Sequence, residues 1–399
     1  MISLSQARQT LQAVQGNLET EVVSIAASLG RIASNDVISP IAIPPADNSA
    51  MDGFAFRFSD LNAGQTEFSI SQRVPAGVNP EPLVRGTAAR IFTGGVIPKG
   101  ADTVVIQENC DYNDSAVVVL KPVEAGANIR PAGQDIVTGA EVIRRGKKLN
   151  AIDISLLASV GQALIEVYKP LTVALFSTGD ELVEPGHALM PGQIYNSNRP
   201  LLTALCEQIG FNIYDCGVVE DTLKATKAAL ADAANNADVI ISSGGVSVGE
   251  EDHVKPAVEA LGELDMWKVQ MKPGKPVAFG RISSVPFLGL PGNPVSSFTV
   301  FQLLGVPLLN SLQGQEPQTL ISYPVVAAFA KPLTSREEYI RVKVALEPNG
   351  DMHAHSFSNL SSGVMSSLSW ADGLVRQDID CAIEVGQKLS FFPLREAML

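Results

Sequence analysis

From about residue 170 to residue 320, short apolar runs alternate with longer segments of helical periodicity. The strand candidates are LTVALFS, FNIYDCGVV, DVIISS and VPFLGL, and the helix candidates are NRPLLTALCEQIG, DTLKATKAALADAANNA and NPVSSFTVFQLLGV. This alternation predicts a parallel, doubly wound α/β sheet. The expected helix signals are three N-caps, two first-turn prolines and one stop: Asn198, Asp221, Asn293, Pro200, Pro294 and Gly210.

The regions before and after this α/β region have a different sequence pattern. Residues 40–148 and 321–399 alternate short β-rich runs with turns, which predicts two β regions. An N-terminal helix is expected after Ser3, which forms a capping box with Gln6. Residues 150–168 predict a helix followed by a strand. The predicted fold class is therefore α/β plus β, and a length of 399 residues fits two to four domains.

Composition excludes several classes of protein. A formal net charge of -13 argues against binding to nucleic acid or to an anionic membrane surface. The four cysteines have no zinc-site spacing and are interpreted as reduced thiols of a cytoplasmic protein. The N-terminus has no signal-peptide pattern, and no uncharged apolar segment is judged long enough to span a bilayer.

Four unusual loops follow strands of the α/β region, where ligands of open α/β sheets bind. Two are STGDELVEPG and SSGGVSVGEEDHV, which combine glycines with carboxylates. The third, WKVQMKPGKP, carries three lysines, and the fourth, LGLPGNPVSS, leads into a helix N-terminus. A glycine pair after a strand is in isolation often only a turn, and a lysine cluster is often a solvated face. Because all four are expected at one edge, we predict a phosphate site with Mg²⁺ held by carboxylates.

A second group of polar residues lies in the first β region. Asp52, Thr93 and Arg130 belong to the stretches PPADNSAMDGFA, RIFTGGVIPKG and NIRPAGQDI, where ordinary turns are the simple interpretation. His353 and His355 would make half a metal site, but no third ligand is evident. Trp267 and Trp370 are expected to pack rather than to stack on a ligand.

These pieces, in this order, resemble the molybdopterin molybdenumtransferase family, known as MoeA in bacteria and as the E domain of gephyrin in animals. The resemblance covers essentially the whole chain and rests on six motifs: PPADNSAMDGFA, RIFTGGVIPKGADTVVIQE, STGDELVEPG, SSGGVSVGEEDHV, KPGKP and LGLPGNPVSS.

The resemblance implies four parts and a two-fold homodimer. A small linker domain would comprise 20–39 and 141–167, and a β-rich insertion domain 40–140. A molybdopterin-binding α/β domain would comprise 1–19 and 168–320, and a C-terminal domain resembling a β-barrel would comprise 321–399. The active cleft would lie between the α/β domain of one subunit and the insertion domain of the other.

The implied reaction consumes adenylylated molybdopterin and molybdate, releases AMP in the presence of Mg²⁺, and needs no covalent nucleophile. Glu181 and Asp252 would hold the metal. Catalytic roles are implied for Asp52, Thr93, Glu181, Asp221, Asp252, Lys268, Lys272 and Lys275. Substrate-binding roles are implied for Arg130, Ser177, Thr178, Gly179, Asp180, Gly244, Gly245, Ser247, Gly249, Pro291, Gly292, Asn293 and Pro294. The partner that delivers the substrate would be molybdopterin adenylyltransferase.

Two departures from the family pattern concern the insertion domain. Phe54 stands where a tyrosine is common, and Gln134 stands where a glutamate is common. Any role for a phenol or a carboxylate at these positions is therefore in doubt. Three other functions remain as alternatives: a molybdopterin adenylyltransferase, a nucleotide-pyrophosphate hydrolase of the competence-damage type, and a non-catalytic dimeric scaffold. ATP use would distinguish the adenylyltransferase.

Overall fold

The computed structural model describes residues 1–246, 253–317 and 319–394. The α-helices are α1 (Leu4–Gln12), α2 (Phe58–Asn62), α3 (Ala151–Ser159), α4 (Asn198–Ile209), α5 (Leu223–Asn236), α6 (Val254–Leu261), α7 (Pro294–Val300), α8 (Val306–Leu312) and α9 (Ser366–Trp370). A π-helical turn, Phe301–Gly305, joins α7 to α8, and Ile25–Ala27 and Gln107–Asn109 are 3₁₀ turns.

The strands are short in the first half of the chain and longer afterwards. They are β1 (Thr20–Ser24), β2 (Val37–Ile38), β3 (Asn48–Ser49), β4 (Gly53–Phe56), β5 (Glu67–Val74), β6 (Thr87–Ile91), β7 (Thr103–Ile106), β8 (Cys110–Tyr112), β9 (Ala116–Val119), β10 (Ile129–Arg130), β11 (Glu141–Ile143), β12 (Leu164–Tyr168), β13 (Thr172–Thr178), β14 (Leu182–Val183), β15 (Ile194–Tyr195), β16 (Asn212–Val219), β17 (Val239–Ser243), β18 (Gly262–Lys268), β19 (Met271–Lys272), β20 (Pro276–Ile282), β21 (Val285–Leu290), β22 (Tyr323–Ala327), β23 (Glu337–Leu346), β24 (Met352–Ser356), β25 (Gly373–Gln377) and β26 (Lys388–Pro393).

The α/β region forms a six-stranded sheet in the order β16-β13-β17-β21-β20-β18. The strands β16, β13, β17 and β21 are parallel, as the alternating pattern predicted. The other two strands are antiparallel to their neighbours, because β20 returns directly from β18 and leads directly into β21. Since two reversals restore the original direction, the carboxyl end of β18 lies at the same edge as the carboxyl ends of the parallel strands.

Helices cover both faces of this sheet, as expected of a doubly wound fold. One face packs Leu175, Ile241 and Leu288 against α1, α4 and the helical run from α7 to α8. The opposite face packs Phe176 and Ile240 against α5 and α6. Consecutive residues of each buried strand alternate between the two cores, which explains why these strands are apolar throughout. The packing fixes the positions of the strand ends.

Two predicted helix caps in this region are wrong. Ser197 is the N-cap of α4, and Asn198 is the first helical residue, because its side chain is engaged elsewhere in the fold. The N-cap of α5 is Thr222, whose hydroxyl accepts from the backbone N–H of Ala225. Asp221 precedes this cap. The predicted stop of α4 at Gly210 is confirmed, with φ of 100° in the left-handed region.

The helical run Pro294–Leu312 corrects another expectation. It has 19 residues and is long and apolar enough, by length and composition, to cross a membrane. However, 78% of the apolar window is buried inside the protein. Its side chains, including Phe301 and Leu309, belong to the core under the α/β sheet. The composition of this helix is therefore that of a central core helix.

The first β region contains a six-stranded sheet in the order β7-β4-β6-β5-β9-β8. Its two faces bury separate apolar clusters around Phe56 and around Ile91. The short helix α2 interrupts the otherwise all-β pattern that was expected. A smaller unit pairs β1 with β12 and β2 with β11, and packs them with α3 around Leu157 and Val167.

The capping box predicted for α1, between Ser3 and Gln6, is confirmed.

The last β region forms a closed barrel of five strands. Its order is β23-β24-β22-β26-β25, and β25 pairs with β23 to complete the barrel. The two-residue strand β19 lies outside the barrel and pairs with β23 in parallel, so that Lys272 lies opposite Glu338. This pairing connects the lysine-rich loop of the α/β region directly to the barrel.

Candidate active site

The carboxyl ends of β13, β17 and β21 surround a pocket of about 620 Å³. Three of the four predicted loops meet there, because the parallel strands before them end at the same edge. The predicted site residues that line it are Ser177, Thr178, Gly179, Glu181, Asp221, Gly244, Gly245, Pro291, Gly292, Asn293 and Pro294. The helical run that begins at Pro294 has its N-terminus at this pocket, where the helix dipole favours an anion; Pro294 has no N–H, and the N–H of Val295 donates to the carbonyl of Ser362.

The glycine pair at the end of β17 is required by its backbone and its neighbours. Gly244 and Gly245 have φ of 99° and 64°, which L-residues with side chains rarely adopt. A Cβ on Gly244 would lie 2.6 Å from the carbonyl oxygen of Thr178. One on Gly245 would lie 2.5 Å from Cγ2 of Val254. Larger residues would therefore displace the loop from the pocket.

Carboxylates lie at the rim of this strand-end pocket. Glu181 is exposed, and its carboxylate folds back over Gly179, where a Cβ would lie 2.6 Å from Oε2. Asp180 accepts from the backbone N–H of Asp221 at 3.3 Å. Within residues 1–246, 253–317 and 319–394, no three His, Cys, Asp or Glu residues form a metal-binding cluster. Asp252, the second predicted Mg²⁺ ligand, lies outside the described residues, as do Ser247 and Gly249.

Two buried polar groups under the strand-end pocket have no hydrogen-bond partner among the residues that the structure describes. Asn198 donates through Nδ2 to the hydroxyl of Ser243 at 2.8 Å and to the carbonyl of Gly292 at 2.6 Å, while its Oδ1 accepts nothing. Asn198 therefore ties the ends of β17 and β21 together. The hydroxyl of Thr178, beneath the glycine pair, also has no partner. The oxygens near this pocket are hard donors of the type that Mg²⁺ prefers.

A second pocket, of about 540 Å³, lies between the α/β sheet and the barrel. It shares the lining residues Pro276 and Asn293 with the strand-end pocket, so the two pockets are adjacent. Four cationic side chains line it: Lys272, Lys275, Arg336 and Arg341. We call it the cationic pocket. Lys268, the third lysine of the loop, is not among its lining residues.

The cationic side chains on the barrel side are held by specific contacts. Arg341 is 2% exposed and donates through Nη2 to the carbonyls of Asn359 and Ser361, while its Nε–H has no partner. Burial lowers the pKa of Arg341, and the negative charge of Glu338 opposes that shift. Arg336 donates to the carbonyl of Met271 at 3.1 Å. The barrel therefore presents two fixed guanidinium groups to the lysine loop.

Asp52 and Thr93 contact each other beside the six-stranded sheet of the insertion region, where Asp52 precedes β4 and Thr93 follows β6. The backbone N–H and the hydroxyl of Thr93 donate to Oδ1 of Asp52 at 2.7 and 2.8 Å. These two bonds hold the pKa of Asp52 below its ordinary value, with a smaller contribution from the charge of Arg90. Arg130, on β10, pairs with Asn48. None of the three predicted residues lines either pocket of its own chain.

The position of the first family departure is occupied by a packed ring. Phe54 is fully buried, and its ring centre lies 5.0 Å from that of Tyr112. The guanidinium of Arg90 lies 4.8 Å from the Phe54 ring, 4.8 Å from the Phe92 ring and 5.0 Å from the Tyr112 ring. Arg90 also donates to the carbonyl of Gly53 at 3.1 Å. The contacts of Arg90 with these three rings and with the carbonyl of Gly53 therefore fix the backbone next to Asp52.

We expect Thr93→Val to raise the pKa of Asp52, because one of its two hydrogen bonds from Thr93 is lost. The value should stay below the ordinary one, since the backbone bond remains. As the folded-state pKa is lowered, the stability that this carboxylate contributes is present above its unfolded pKa and lost as pH falls through its folded pKa. Carboxyl-carbon NMR titration measures the shift. Thr87→Val, in the same sheet, is the control, and an unchanged Asp52 pKa would contradict the assignment.

The cysteines take no part in either pocket. All four are free, in agreement with the prediction of reduced thiols. Burial raises the pKa of Cys206 to about 12 and those of Cys110 and Cys216 to about 11. These three are therefore protonated and poor nucleophiles at neutral pH. Trp370 packs edge-on against Phe357, as predicted, and the side chain of Trp267 lies outside the described part of the chain.

Comparisons with known proteins cover nearly the whole chain. Three family models match in order: the MoeA N-terminal region (domain I and II) at residues 2–161, the probable molybdopterin binding domain at 174–311, and the MoeA C-terminal region (domain IV) at 325–394. A molybdopterin molybdenumtransferase of Haemophilus influenzae is 41% identical over 320 residues, which is 79% of each chain. The chain belongs to the MoeA family.

Other MoeA relatives extend the match. A molybdopterin molybdenumtransferase of Staphylococcus aureus is 32% identical over 376 residues, 92% of this chain and 89% of that one. The crystal structure of a molybdopterin biosynthesis MoeA protein from Pyrococcus horikoshii superimposes with a TM-score of 0.84 at 26% identity, covering 98% and 100% of the two chains. The MoeA architecture of several domains, with an α/β part that matches the probable molybdopterin binding domain and with a C-terminal barrel, is therefore confirmed.

Within this MoeA chain, sequence reasoning found the strand-end pocket more completely than the cationic pocket. It named half of the residues that line the former. It missed Asn198 as a residue under the pocket, because an asparagine before a helical run indicates a cap. It also missed Arg336, Glu338 and Arg341, because SREEYIRVKV has the pattern of an ordinary strand with charged residues. The one sequence signal for these three residues was the KPGKP motif, which predicted a cationic site on the α/β side of the pocket that they line from the barrel side.

Proposed function

We propose that this chain uses adenylylated molybdopterin and molybdate, cleaves the adenylyl bond to release AMP, and leaves molybdenum on the dithiolene sulfurs. One observation carries the proposal: the strand-end pocket and the cationic pocket are adjacent and share the wall residues Pro276 and Asn293. A phosphate-bearing pterin in the first would therefore lie beside an oxyanion in the second. The names of the curated relatives agree with these two substrates.

The strand-end pocket would hold the phosphate groups. Gly244 and Gly245 bring backbone close to the ligand, and Asn293 begins the helical run whose N-terminus favours negative charge. Glu181 and Asp221 lie at the same pocket and provide carboxylates. This arrangement would position the adenylyl bond between anion-binding backbone and acidic side chains. Catalysis here would be positioning and electrostatics rather than covalent chemistry.

The cationic pocket would hold molybdate. Lys272 and Lys275 approach from the α/β region, and Arg336 and Arg341 approach from the barrel. A tetrahedral dianion matches such a set, because guanidinium and ammonium groups form short charge-assisted hydrogen bonds with oxyanions. The unpartnered Nε–H of buried Arg341 is one donor that an oxyanion could satisfy after a small movement. Lys268, outside both pockets, is proposed to act through the backbone of the loop.

Mg²⁺ is part of the proposal, with Glu181 and Asp252 as carboxylate ligands and Asp221 nearby. The hard oxygens at the strand-end pocket fit this ion. When bound, Mg²⁺ would neutralise phosphate charge and could activate water. The chain's own residues at this pocket would orient the phosphate groups.

We also propose a homodimer whose partner contributes Asp52, Thr93 and Arg130 to the cleft. The linker unit carries exposed apolar side chains that a second copy could cover: Val22 is 62% exposed, Ile152 77% and Leu164 58%. The three insertion residues line neither pocket of their own chain, which supports this arrangement. Delivery of substrate by molybdopterin adenylyltransferase and a cytoplasmic location complete the proposal, and both rest on family resemblance.

The deciding experiment is chromatography of AMP released from adenylylated molybdopterin, with and without molybdate and Mg²⁺. We expect release that requires both. Asp252→Ala should abolish it while the free energy of unfolding changes little. An equal loss of stability and activity would instead give Asp252 a structural role. If the folded protein leaves the substrate intact under every condition, the scaffold function would be favoured. If it consumes ATP, the adenylyltransferase function would be favoured.

A further inference from the structure

One carboxylate lies among the cations of the cationic pocket. Glu338 is 3% exposed, and each of its oxygens faces a different lysine. Oε2 lies 3.2 Å from Nζ of Lys272, and Oε1 lies 3.2 Å from Nζ of Lys331. The contact to Lys272 is an ion pair without hydrogen-bond geometry, because Oε2 accepts no hydrogen bond. Lys272 keeps 44% of its side chain exposed, whereas Lys331 keeps 16%.

The position of Glu338 is fixed by the backbone on both sides. It lies in β23, opposite Lys272 of β19 and opposite Gln377 of β25. Gln377 is 1% exposed and donates to the carbonyls of Pro332 and Cys381. A carboxylate that is buried between two paired strands cannot leave the pocket when an anion arrives. Any oxyanion that contacts Lys272 must therefore share that ammonium with Glu338.

We propose that Glu338 is a built-in counter-ion that sets the affinity and the charge selectivity of the oxyanion site. It allows four cationic residues to be assembled around one pocket, and it reduces the positive potential that a ligand meets there. This inference rests on the proposed function, because it assumes that the cationic pocket holds molybdate. Glu338 acts through Lys272 and through the local potential, and so it is a positioning and selectivity residue.

The electrostatic argument gives a quantitative signature. A fixed charge changes the binding free energy of a ligand in proportion to the charge of that ligand. Molybdate is a dianion at neutral pH, and perrhenate is a monoanion of the same tetrahedral shape. Neutralising Glu338 should therefore lower the Kd for both anions. The factor by which the Kd for molybdate falls should be the square of the factor for perrhenate. A merely structural role would change the two affinities by similar factors or weaken both.

The test is calorimetric titration of the full chain with molybdate, and with perrhenate by displacement. For Glu338→Gln we expect about threefold tighter binding of perrhenate and about tenfold tighter binding of molybdate. Glu347→Gln removes the same charge just beyond the far end of β23 and should change both affinities by less than about twofold. Equal factors for the two anions, or weaker molybdate binding by a folded Glu338→Gln protein, would overturn the proposal.

A second variant covers the case in which Glu338→Gln does not fold. Lys331→Met removes a cation that pairs with Glu338 but does not line the pocket. We expect this variant to bind both anions more weakly. The factor by which the Kd for molybdate rises should again be the square of the factor for perrhenate. If the unchanged chain binds neither anion, the placement of molybdate in the proposed function fails and this inference fails with it. If it binds both but the squared relation is absent, only the inference fails.

Discussion

Replacing Glu181 by glutamine is expected to reduce AMP release from adenylylated molybdopterin by about 10²–10³-fold. The substitution keeps the shape of the side chain but removes one of the negative charges at the strand-end pocket. Because the Glu181 side chain is exposed, the free energy of unfolding should change by less than about 0.5 kcal/mol. Initial rates of AMP formation and urea unfolding curves measure the two effects.

The matched control for this prediction is Glu207→Gln. Glu207 lies on the exposed side of α4 and is not among the residues that line the pocket. It should retain the activity of the unchanged chain. An active Glu181→Gln protein would exclude Glu181 from both metal binding and catalysis. A variant that loses activity and stability together would make Glu181 a residue of the fold.

The second large effect is expected at Gly274, between the two lysines of the cationic pocket. Gly274 has φ of 103°, and a Cβ there would lie 2.3 Å from Cγ2 of Val300, which is fully buried. Gly274→Ala should therefore lower stability by about 1–2 kcal/mol through its backbone conformation. The clash should cost about 1–3 kcal/mol more. Because the loop carries Lys272 and Lys275, molybdate binding should weaken as well.

Gly186 separates the two contributions. It has φ of 101°, nearly the same as Gly274, but nothing lies within 4 Å of its Cβ position. Gly186→Ala should show the backbone cost alone. Combining Gly274→Ala with Val300→Ala should recover part of the clash energy in a double-mutant cycle. Equal losses for the two glycine variants in urea unfolding would refute the clash with Val300.

The order of strands and helices in the α/β region was predictable because each buried strand is apolar on both faces. The two antiparallel strands were not, because WKVQMKPGKPVAFG has no helix between its strand segments and was interpreted only as a loop. A direct return of the chain produces antiparallel neighbours. The residue pattern predicted the barrel only as a set of strands, and its barrel form was implied by the family resemblance alone. Its closure depends on the pairing of β23 with β25, which are far apart in sequence.

The two pockets differ in how much their sequence reveals. Gly244 and Gly245 are visible because a glycine pair directly after an apolar strand indicates a tight turn at the edge where such sheets bind ligands. Glu338 and Arg341 could not be predicted as site residues. In a sequence, buried charged residues on a strand cannot be distinguished from exposed ones until their partners are known. Lys272 and Glu338 are 66 positions apart and meet only through the pairing of β19 with β23. Such a contact depends on how the barrel docks.

The pairing of β19 with β23 also has an evolutionary consequence. The strand-end pocket is built almost entirely by the α/β region, so a chain that inherited this region alone would retain it. The cationic pocket is divided: Lys272 and Lys275 would be inherited with the α/β region, and Arg336, Glu338 and Arg341 with the barrel. Recombination that exchanged either region would preserve phosphate recognition but break up the oxyanion site. Substitutions on the two sides of this seam should therefore be constrained to change together.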